Sequence, residues 1–170
     1  MVGMVSRAEL KYYRLGAEER QRLLSRLREE LEADEGIVFA YVHGGFVETE
    51  AFRDVDVAVW IEKPEEAFRY QVDFSARLET RLKIPIDLHV LNEAPLPFKH
   101  SVFTRGKLLF SRDEDVRVKV VDEVVRQYAD VRTLNELARK DLLVRTPRPP
   151  SANPLPQRYR RSTQSSRVRF

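Results

Sequence analysis

The chain has 170 residues, no cysteine and a formal net charge of +3. This length fits one domain with room for an appendage, and the lack of cysteine excludes disulfides, thiolate metal sites and a cysteine nucleophile. No apolar run approaches the ~18 residues of a membrane span, and the N-terminal residues lack the apolar segment of a signal peptide. We therefore expect a cytoplasmic protein with no membrane partner.

The charge is distributed unevenly along the chain. Residues 142–170 contain seven arginines and no acidic residue, which leaves the remainder at −4. Five of the nine prolines also lie in this stretch. We predict a folded domain over 1–144 and a Pro/Arg-rich tail over 145–170. The tail is either disordered, because it has few large apolar side chains, or bound to a partner such as a nucleic acid, whose phosphates arginine neutralises.

The first predicted elements are two helices and a strand. Ser6 and Glu9 have the spacing of a capping box, which predicts a short helix from about Arg7 up to Gly16. From residue 17 to about 33, leucines recur at helical spacing between charged residues, which is typical of an amphipathic helix. The apolar run over 37–42 predicts a buried strand.

Short strands and amphipathic helices alternate through the rest of the domain. After a turn over 43–53 that includes a helical turn, the predicted elements are a strand over 54–61, a helix over 64–82, a strand over 84–91, a helix over 95–105, a strand over 107–110 and a helix from about 111 to about 142. This order predicts an α/β or α+β fold, with a small mixed β-sheet and helices packed on it.

The turn at Gly44-Gly45 and the strand that follows it contain a candidate site. Glycines let backbone N–H groups approach a ligand without a Cβ in the way, and a helical turn after them points such groups at a phosphate. The next strand opens with Asp54 and Asp56, which the two-residue period of a strand puts on one face. Two carboxylates beside a phosphate are what Mg²⁺ requires.

A third carboxylate, Asp87, lies between Ile86 and Leu88 in an otherwise apolar strand. An aspartate there is costly to bury unless it has a partner or a metal. If this strand neighbours the one that holds Asp54 and Asp56, three carboxylates can hold two metal ions for a phosphoryl displacement. The alternatives are a solvated strand end for the first pair and a solvent-facing edge strand for Asp87.

Two histidines lie close to these residues in the sequence. His43 directly precedes the glycines, where it could contact a phosphate or a base. His89 shares a strand face with Asp87 by the same two-residue period. We interpret both as structural residues, since such histidines more often have a packing role.

The series of a strand, Gly44-Gly45, eight further residues, Asp-Val-Asp and a later strand with an isolated aspartate resembles the nucleotidyltransferase superfamily of DNA polymerase beta. In size it is similar to the minimal nucleotidyltransferases of bacteria and archaea. The resemblance runs from about Ile37 to the long helix after Phe110, and Thr104 to Phe110 is similar to the final strand of the family.

The resemblance implies a polymerase beta-like nucleotidyltransferase fold and a role for each motif residue. Asp54, Asp56 and Asp87 would be the catalytic and metal-binding residues, and Gly44 and Gly45 would bind the nucleotide. The implied reaction is a Mg²⁺-dependent transfer, with two ions, of a nucleoside monophosphate from a nucleoside triphosphate to a hydroxyl. AMP from ATP is the expected group.

The resemblance also implies a partner. Minimal nucleotidyltransferases are often encoded beside a small helical HEPN protein, a ribonuclease toxin, and act as its antitoxin. Some of them transfer AMP to a tyrosine of that toxin. A HEPN-type protein is therefore the expected acceptor.

Two alternative functions remain open at this point. The Arg-Gly pair that usually follows the family's glycine turn is absent, and the residues there include Glu48 and Glu50. Two acids beside a triphosphate site favour a non-catalytic binding module that neutralises its partner by masking its surface. The arginines of the tail favour an RNA-modifying transferase instead.

Overall fold

The computed structural model describes residues 11–145, with side chains up to residue 140. In chain order the elements are β1 (Tyr13–Arg14), α1 (Ala17–Glu32), β2 (Ile37–His43), α2 (Gly45–Glu48), β3 (Ala51–Phe52), β4 (Val55–Ile61), α3 (Ala67–Arg69), α4 (Ser75–Leu82), β5 (Ile86–Val90), α5 (Leu96–Arg105), β6 (Lys107–Ser111) and α6 (Glu114–Arg145). Among these described helices, none has the length and apolar character needed to cross a membrane.

Four strands form the main sheet in the order β5-β4-β2-β6. Strand β2 pairs antiparallel with both β4 and β6, whereas β4 pairs parallel with β5. The parallel pair is possible because the chain between β4 and β5 crosses back through α3 and α4. The predicted small mixed sheet with helices packed on it is thus confirmed.

Helices cover both faces of this sheet. Leucines of α1 and α4 pack on one face, against valines that include Val55 and Val57. Because side chains alternate along a strand, the neighbouring residues point to the opposite face. There Phe39, Tyr41 and Ala58 pack with Val102 of α5 and with side chains at the start of α6. The candidate site residues of β4 and β5 belong to this second face.

The predicted short helix before Gly16 is wrong over its described part. Tyr13–Arg14 is a strand that pairs antiparallel with Ala51–Phe52, and the rings of Tyr13 and Phe52 stack at 5.9 Å. A pairing with a segment almost forty residues away in sequence prevails here over a local capping pattern. Residues 1–10, including Ser6 and Glu9, lie outside the described residues.

The predicted helix over 64–82 is helical throughout but is not one regular α-helix. A 3₁₀ turn at Pro64–Glu66 leads into α3, and a π-helical segment, Tyr70–Phe74, leads into α4. Residues four apart drift around an α-helix of 3.6 residues per turn, and a wider π turn offsets that drift. The π segment thereby lets Tyr70, Phe74 and Leu78 all face the core, where each is buried.

The internal contacts of the chain divide it between Thr133 and Leu134, within α6. The first unit holds all six strands of the described residues and the candidate site. Residues 146–170, which make up nearly all of the predicted Pro/Arg-rich tail, lie outside the described residues. A domain over 1–144 with a tail over 145–170 stays a prediction.

Gly106 joins α5 to β6 where no larger residue fits, and we predict that Gly106→Ala destabilises the protein. An added Cβ would lie 2.4 Å from the carbonyl oxygen of Val102 and 3.2 Å from that of Val42. Both obstacles are backbone atoms of packed elements, so we expect a loss of about 1–3 kcal/mol in the free energy of unfolding. Urea denaturation measures it.

Gly16→Ala is the matched control, because the nearest atom to a Cβ there is Glu19 Oε2, at 3.6 Å. Gly16 is also the N-cap of α1, where alanine is less favourable than glycine, so we expect its urea midpoint to fall by less than that of Gly106→Ala. Equal midpoints for the two variants would contradict the assigned packing at Gly106.

Candidate active site

The sequence-predicted site residues meet where β2 ends and β4 and β5 begin. His43 is the register partner of Asp56 across the antiparallel pair, and Asp56 is the register partner of Asp87 across the parallel pair. Antiparallel pairing brings the end of β2 to the start of β4, and parallel pairing brings the two strand starts together. The three side chains therefore stand in a row across three neighbouring strands.

Gly44 turns the chain away from β2 directly beside the carboxylate of Asp56. Its backbone has φ 67° and ψ −154°, a conformation that suits glycine alone. A Cβ on Gly44 would lie 2.1 Å from Asp56 Oδ2. The backbone N–H of Gly45, the first residue of α2, hydrogen bonds to the same carboxylate. The glycine turn and Asp56 thus fix each other's positions.

Negative charge accumulates at Asp56. Burial raises the pKa of this half-buried carboxyl, and the neighbouring carboxylates of Asp54 and Asp87 raise it further. His89 and the hydrogen bond from Gly45 act in the opposite direction. A divalent cation at this point would relieve the repulsion among the carboxylates.

One group of side chains in the described part of the chain has ligand atoms close enough to share a metal ion. It consists of Asp56, Asp87 and His89, whose ligand atoms all lie within 4.8 Å of one another. Asp54 is not in that group. It is half-buried just before β4, and its charge acts on Asp56. The metal-binding roles of Asp54, Asp56 and Asp87 stay predictions.

Strand β5 is at an edge of the sheet, so the side chain of Asp87 is 57% exposed. Asp87 therefore lies on a solvent-facing edge strand, which was one of the alternatives from the sequence. It is at the same time the register partner of Asp56. Carboxylate oxygens next to a turn with no Cβ are a donor set that fits a hard divalent cation carrying phosphates.

His43 and His89 are packed together beside the carboxylates. Burial, and then the proximity of His89, lowers the pKa of His43 to about 4, so His43 is neutral at pH 7. Its Nε2 is buried and lacks a hydrogen-bond partner among the described residues. The ring of Phe98, on α5, contacts both imidazoles edge to face, at 5.4 Å for His43 and 5.2 Å for His89. Phe98 of α5 and the two imidazoles thereby form one wall of the site.

A cavity of about 450 Å³ opens next to this wall. His89 and Phe98 line its side towards the carboxylates, and Gln71 and Glu93 supply polar groups. Its size and its mixed lining suit a nucleobase or an aromatic side chain of an acceptor.

Arg20 supports the site in a way that the sequence did not indicate. The sequence pattern places it on a solvated helix face between charged residues. Instead its guanidinium donates hydrogen bonds to four backbone carbonyl oxygens: that of Leu15 at 3.3 Å and, after the glycine turn, those of Phe46 at 2.5 Å, Thr49 at 2.9 Å and Glu50 at 2.7 Å. The last three bonds fasten the segment after the glycine turn to α1. Nothing in the local spacing distinguishes Arg20 from its exposed neighbours.

Glu48, at the end of α2, extends the acidic surface of the site. It is exposed, and its charge reaches His43, whose pKa it acts to raise. Arg105, the last residue of α5, has its Nη1 at 4.0 Å from a Glu48 carboxylate oxygen. That arginine partly offsets the acid beside the turn.

A sequence profile described as polymerase beta, nucleotidyltransferase matches residues 25–115, more than half of the chain. Among solved structures with a similar fold, one is a tri-AMPylated HEPN toxin of Shewanella oneidensis in complex with an MNT antitoxin. It is 17% identical with a TM-score of 0.55, over 73% of this chain and 98% of that chain.

Two further structures are comparable. The toxin–antitoxin MntA–HepT is 17% identical with a TM-score of 0.54, over 72% of this chain and 98% of that one. A toxin–antitoxin with AMP-PNP is 17% identical with a TM-score of 0.56, over 71% and 98%. At these identities the likeness concerns the fold. No curated protein sequence matches significantly.

We predict that Arg20→Ala destabilises the protein by about 1–3 kcal/mol, because it leaves backbone carbonyls without their charged donor. Chemical denaturation of the two purified proteins measures the difference. Arg22→Ala is the control, since among the described residues Arg22 makes only an exposed contact to Glu18 at 3.5 Å, which is worth about 0–0.5 kcal/mol. If both variants unfold at the wild-type midpoint, Arg20 does not fasten the turn.

Proposed function

The protein belongs to the polymerase beta nucleotidyltransferase family, and we propose that it transfers AMP from ATP to a hydroxyl group of a protein partner. The observation that carries this proposal is the contact of three parts in one place. Asp56 and Asp87 are register partners, and Gly44 approaches Asp56 so closely that a Cβ would lie 2.1 Å from its carboxylate. Two carboxylates and a phosphate-accessible turn are the parts that nucleotidyl transfer needs.

Each motif residue has a role in this proposal. Asp54 and Asp56 would hold a Mg²⁺ that accompanies the triphosphate, and Asp87 would complete a site for a second ion. Such ions, when bound, neutralise phosphate charge and clamp the attacking and leaving oxygens of the displacement. Gly44 and Gly45 would receive the phosphates, since backbone without Cβ atoms allows close approach.

The reaction is a displacement at the α-phosphate. The acceptor's hydroxyl oxygen loses its proton to solvent and bonds to the α-phosphorus, the bond to the oxygen that bridges the α- and β-phosphates breaks, and pyrophosphate leaves. Asp87 is exposed on an edge strand, where the hydroxyl of a macromolecule can reach it. The chain contributes position and charge neutralisation rather than a covalent intermediate.

The partner we propose is a helical HEPN-type protein, with one of its tyrosines as acceptor, and the chain would act as an antitoxin in the cytoplasm. The support is the fold, which is similar to solved structures described as HEPN toxin with MNT antitoxin and as a toxin–antitoxin with AMP-PNP. A partner that presents its own tyrosine would also supply the acceptor-binding surface.

A second candidate is a non-catalytic module that neutralises its partner by binding alone. Glu48 favours it, because an exposed acid whose charge reaches the site would repel a triphosphate. Arg105, at 4.0 Å, limits that repulsion. The two candidate functions differ in whether AMP is transferred from the nucleotide to the partner protein.

We predict that Asp54→Asn with Asp56→Asn abolishes transfer and leaves the fold intact. The assay incubates the full chain with ATP labelled at the α-phosphate, Mg²⁺ and a helical HEPN-type protein as the proposed partner, and measures label on that protein. Loss of both carboxylates removes the ligands of the triphosphate's ion, so we expect a loss of at least about 10³-fold. Asp73→Asn, which neutralises an exposed acid on another element, should transfer at the wild-type rate.

Melting temperature serves as the folding control for the double variant. The pKa of Asp56 is raised in the folded protein, so its ionised form destabilises the fold at pH 7. That cost fades as the pH falls towards the ordinary value of 3.8. The variant should therefore melt no lower than the wild type at pH 7. Undiminished transfer by the double variant would exclude Asp54 and Asp56 as metal ligands. If the wild type inhibits the partner protein without transferring any label to it, the non-catalytic binding module is favoured.

A further inference from the structure

His89 forms a group of three potential metal ligands with Asp56 and Asp87. Its Nε2 lies 3.2 Å from Asp87 Oδ2, and the ligand atoms of all three residues lie within 4.8 Å of one another. Ligand atoms bound to one ion at about 2.1 Å stand about 3–4 Å apart in an octahedron. A small closure of the three side chains would therefore bring them around a single ion.

The packing around His89 holds its ring in this position. Alternation along β5 puts it on the same face as Asp87. The Phe98 ring contacts the imidazole edge to face at 5.2 Å, and the ring of His43 lies 6.1 Å away. An imidazole fixed by two other rings loses little further freedom when it binds an ion.

We propose that His89 is a direct metal ligand, so that the ion bound by Asp56, Asp87 and His89 is a first-row transition-metal ion such as Mn²⁺ in preference to Mg²⁺. Mg²⁺ takes oxygen ligands and keeps its waters, whereas imidazole nitrogen binds the transition ions. The proposal rests on the metal site of the proposed function. It adds a nitrogen donor and an ion preference that the three aspartates do not imply.

The competing account is that His89 only donates a hydrogen bond to Asp87 and orients its carboxylate. The two accounts differ in what a glutamine at this position can replace. Glutamine can still donate a hydrogen bond to the Asp87 carboxylate, but it provides no imidazole nitrogen for the ion. His89→Gln therefore separates coordination from orientation.

The test titrates the full-length protein with Mn²⁺ and follows the free ion by its electron paramagnetic resonance signal, with Mg²⁺ as competitor. Pulsed electron paramagnetic resonance on the Mn²⁺-loaded protein then detects any nitrogen atom that is bound to the ion. We expect wild type to show ¹⁴N coupling and to prefer Mn²⁺. His89→Gln should lose the coupling and about tenfold or more in Mn²⁺ affinity, with Mg²⁺ affinity changed less than about threefold.

His100→Gln is the control, since His100 stacks on Tyr128 at 3.8 Å and is not in the ligand group. It should retain both the coupling and the affinity. Bound Mn²⁺ without ¹⁴N coupling, or full Mn²⁺ affinity in His89→Gln, overturns the role of His89 and leaves the carboxylate site standing. A wild type that binds neither ion, alone or with ATP, overturns the metal site of the proposed function as well.

Discussion

The approach of Gly44 to the Asp56 carboxylate is the constraint on which the site depends. A Cβ at Gly44 would lie 2.1 Å from Asp56 Oδ2, and its φ of 67° excludes most other residues in any case. Because the turn closes directly on the carboxylate, the hydrogen bond from Gly45 becomes possible. Helix α2 then starts at a fixed point, and Arg20 can reach the carbonyls that follow it.

The sheet topology makes this local contact into a site with several donors. An antiparallel neighbour on one side of β4 and a parallel neighbour on the other bring three strand termini to one edge. Alternation then places valines of β4 in one core and Asp56 on the opposite face. That face is open at the edge strand, where Asp87 is exposed, and walled by Phe98 from α5. The carboxylate of Asp56 is thus half-buried, whereas that of Asp87 next to it is open to solvent.

The order of the elements and the main motif could be predicted because their signals are local. Strand alternation marks Asp54 and Asp56, and an isolated aspartate among apolar residues marks Asp87. What could not be predicted depends on partners distant in the sequence. The pairing of Tyr13–Arg14 with Ala51–Phe52 and the bonds from Arg20 to residues 26 to 30 positions away leave no mark in local spacing. His89 was placed on the correct face, but its distance to Asp87 follows only from the packed strand.

A crystal structure of the full chain with Mn²⁺ and a non-hydrolysable ATP analogue would test the central claim most directly. The anomalous signal of Mn²⁺ locates the ion independently of the protein atoms. Our account predicts a peak between the carboxylates of Asp56 and Asp87, with the phosphates of the analogue against Gly44 and Gly45. A nucleotide bound elsewhere, with no anomalous peak at these carboxylates, would contradict it.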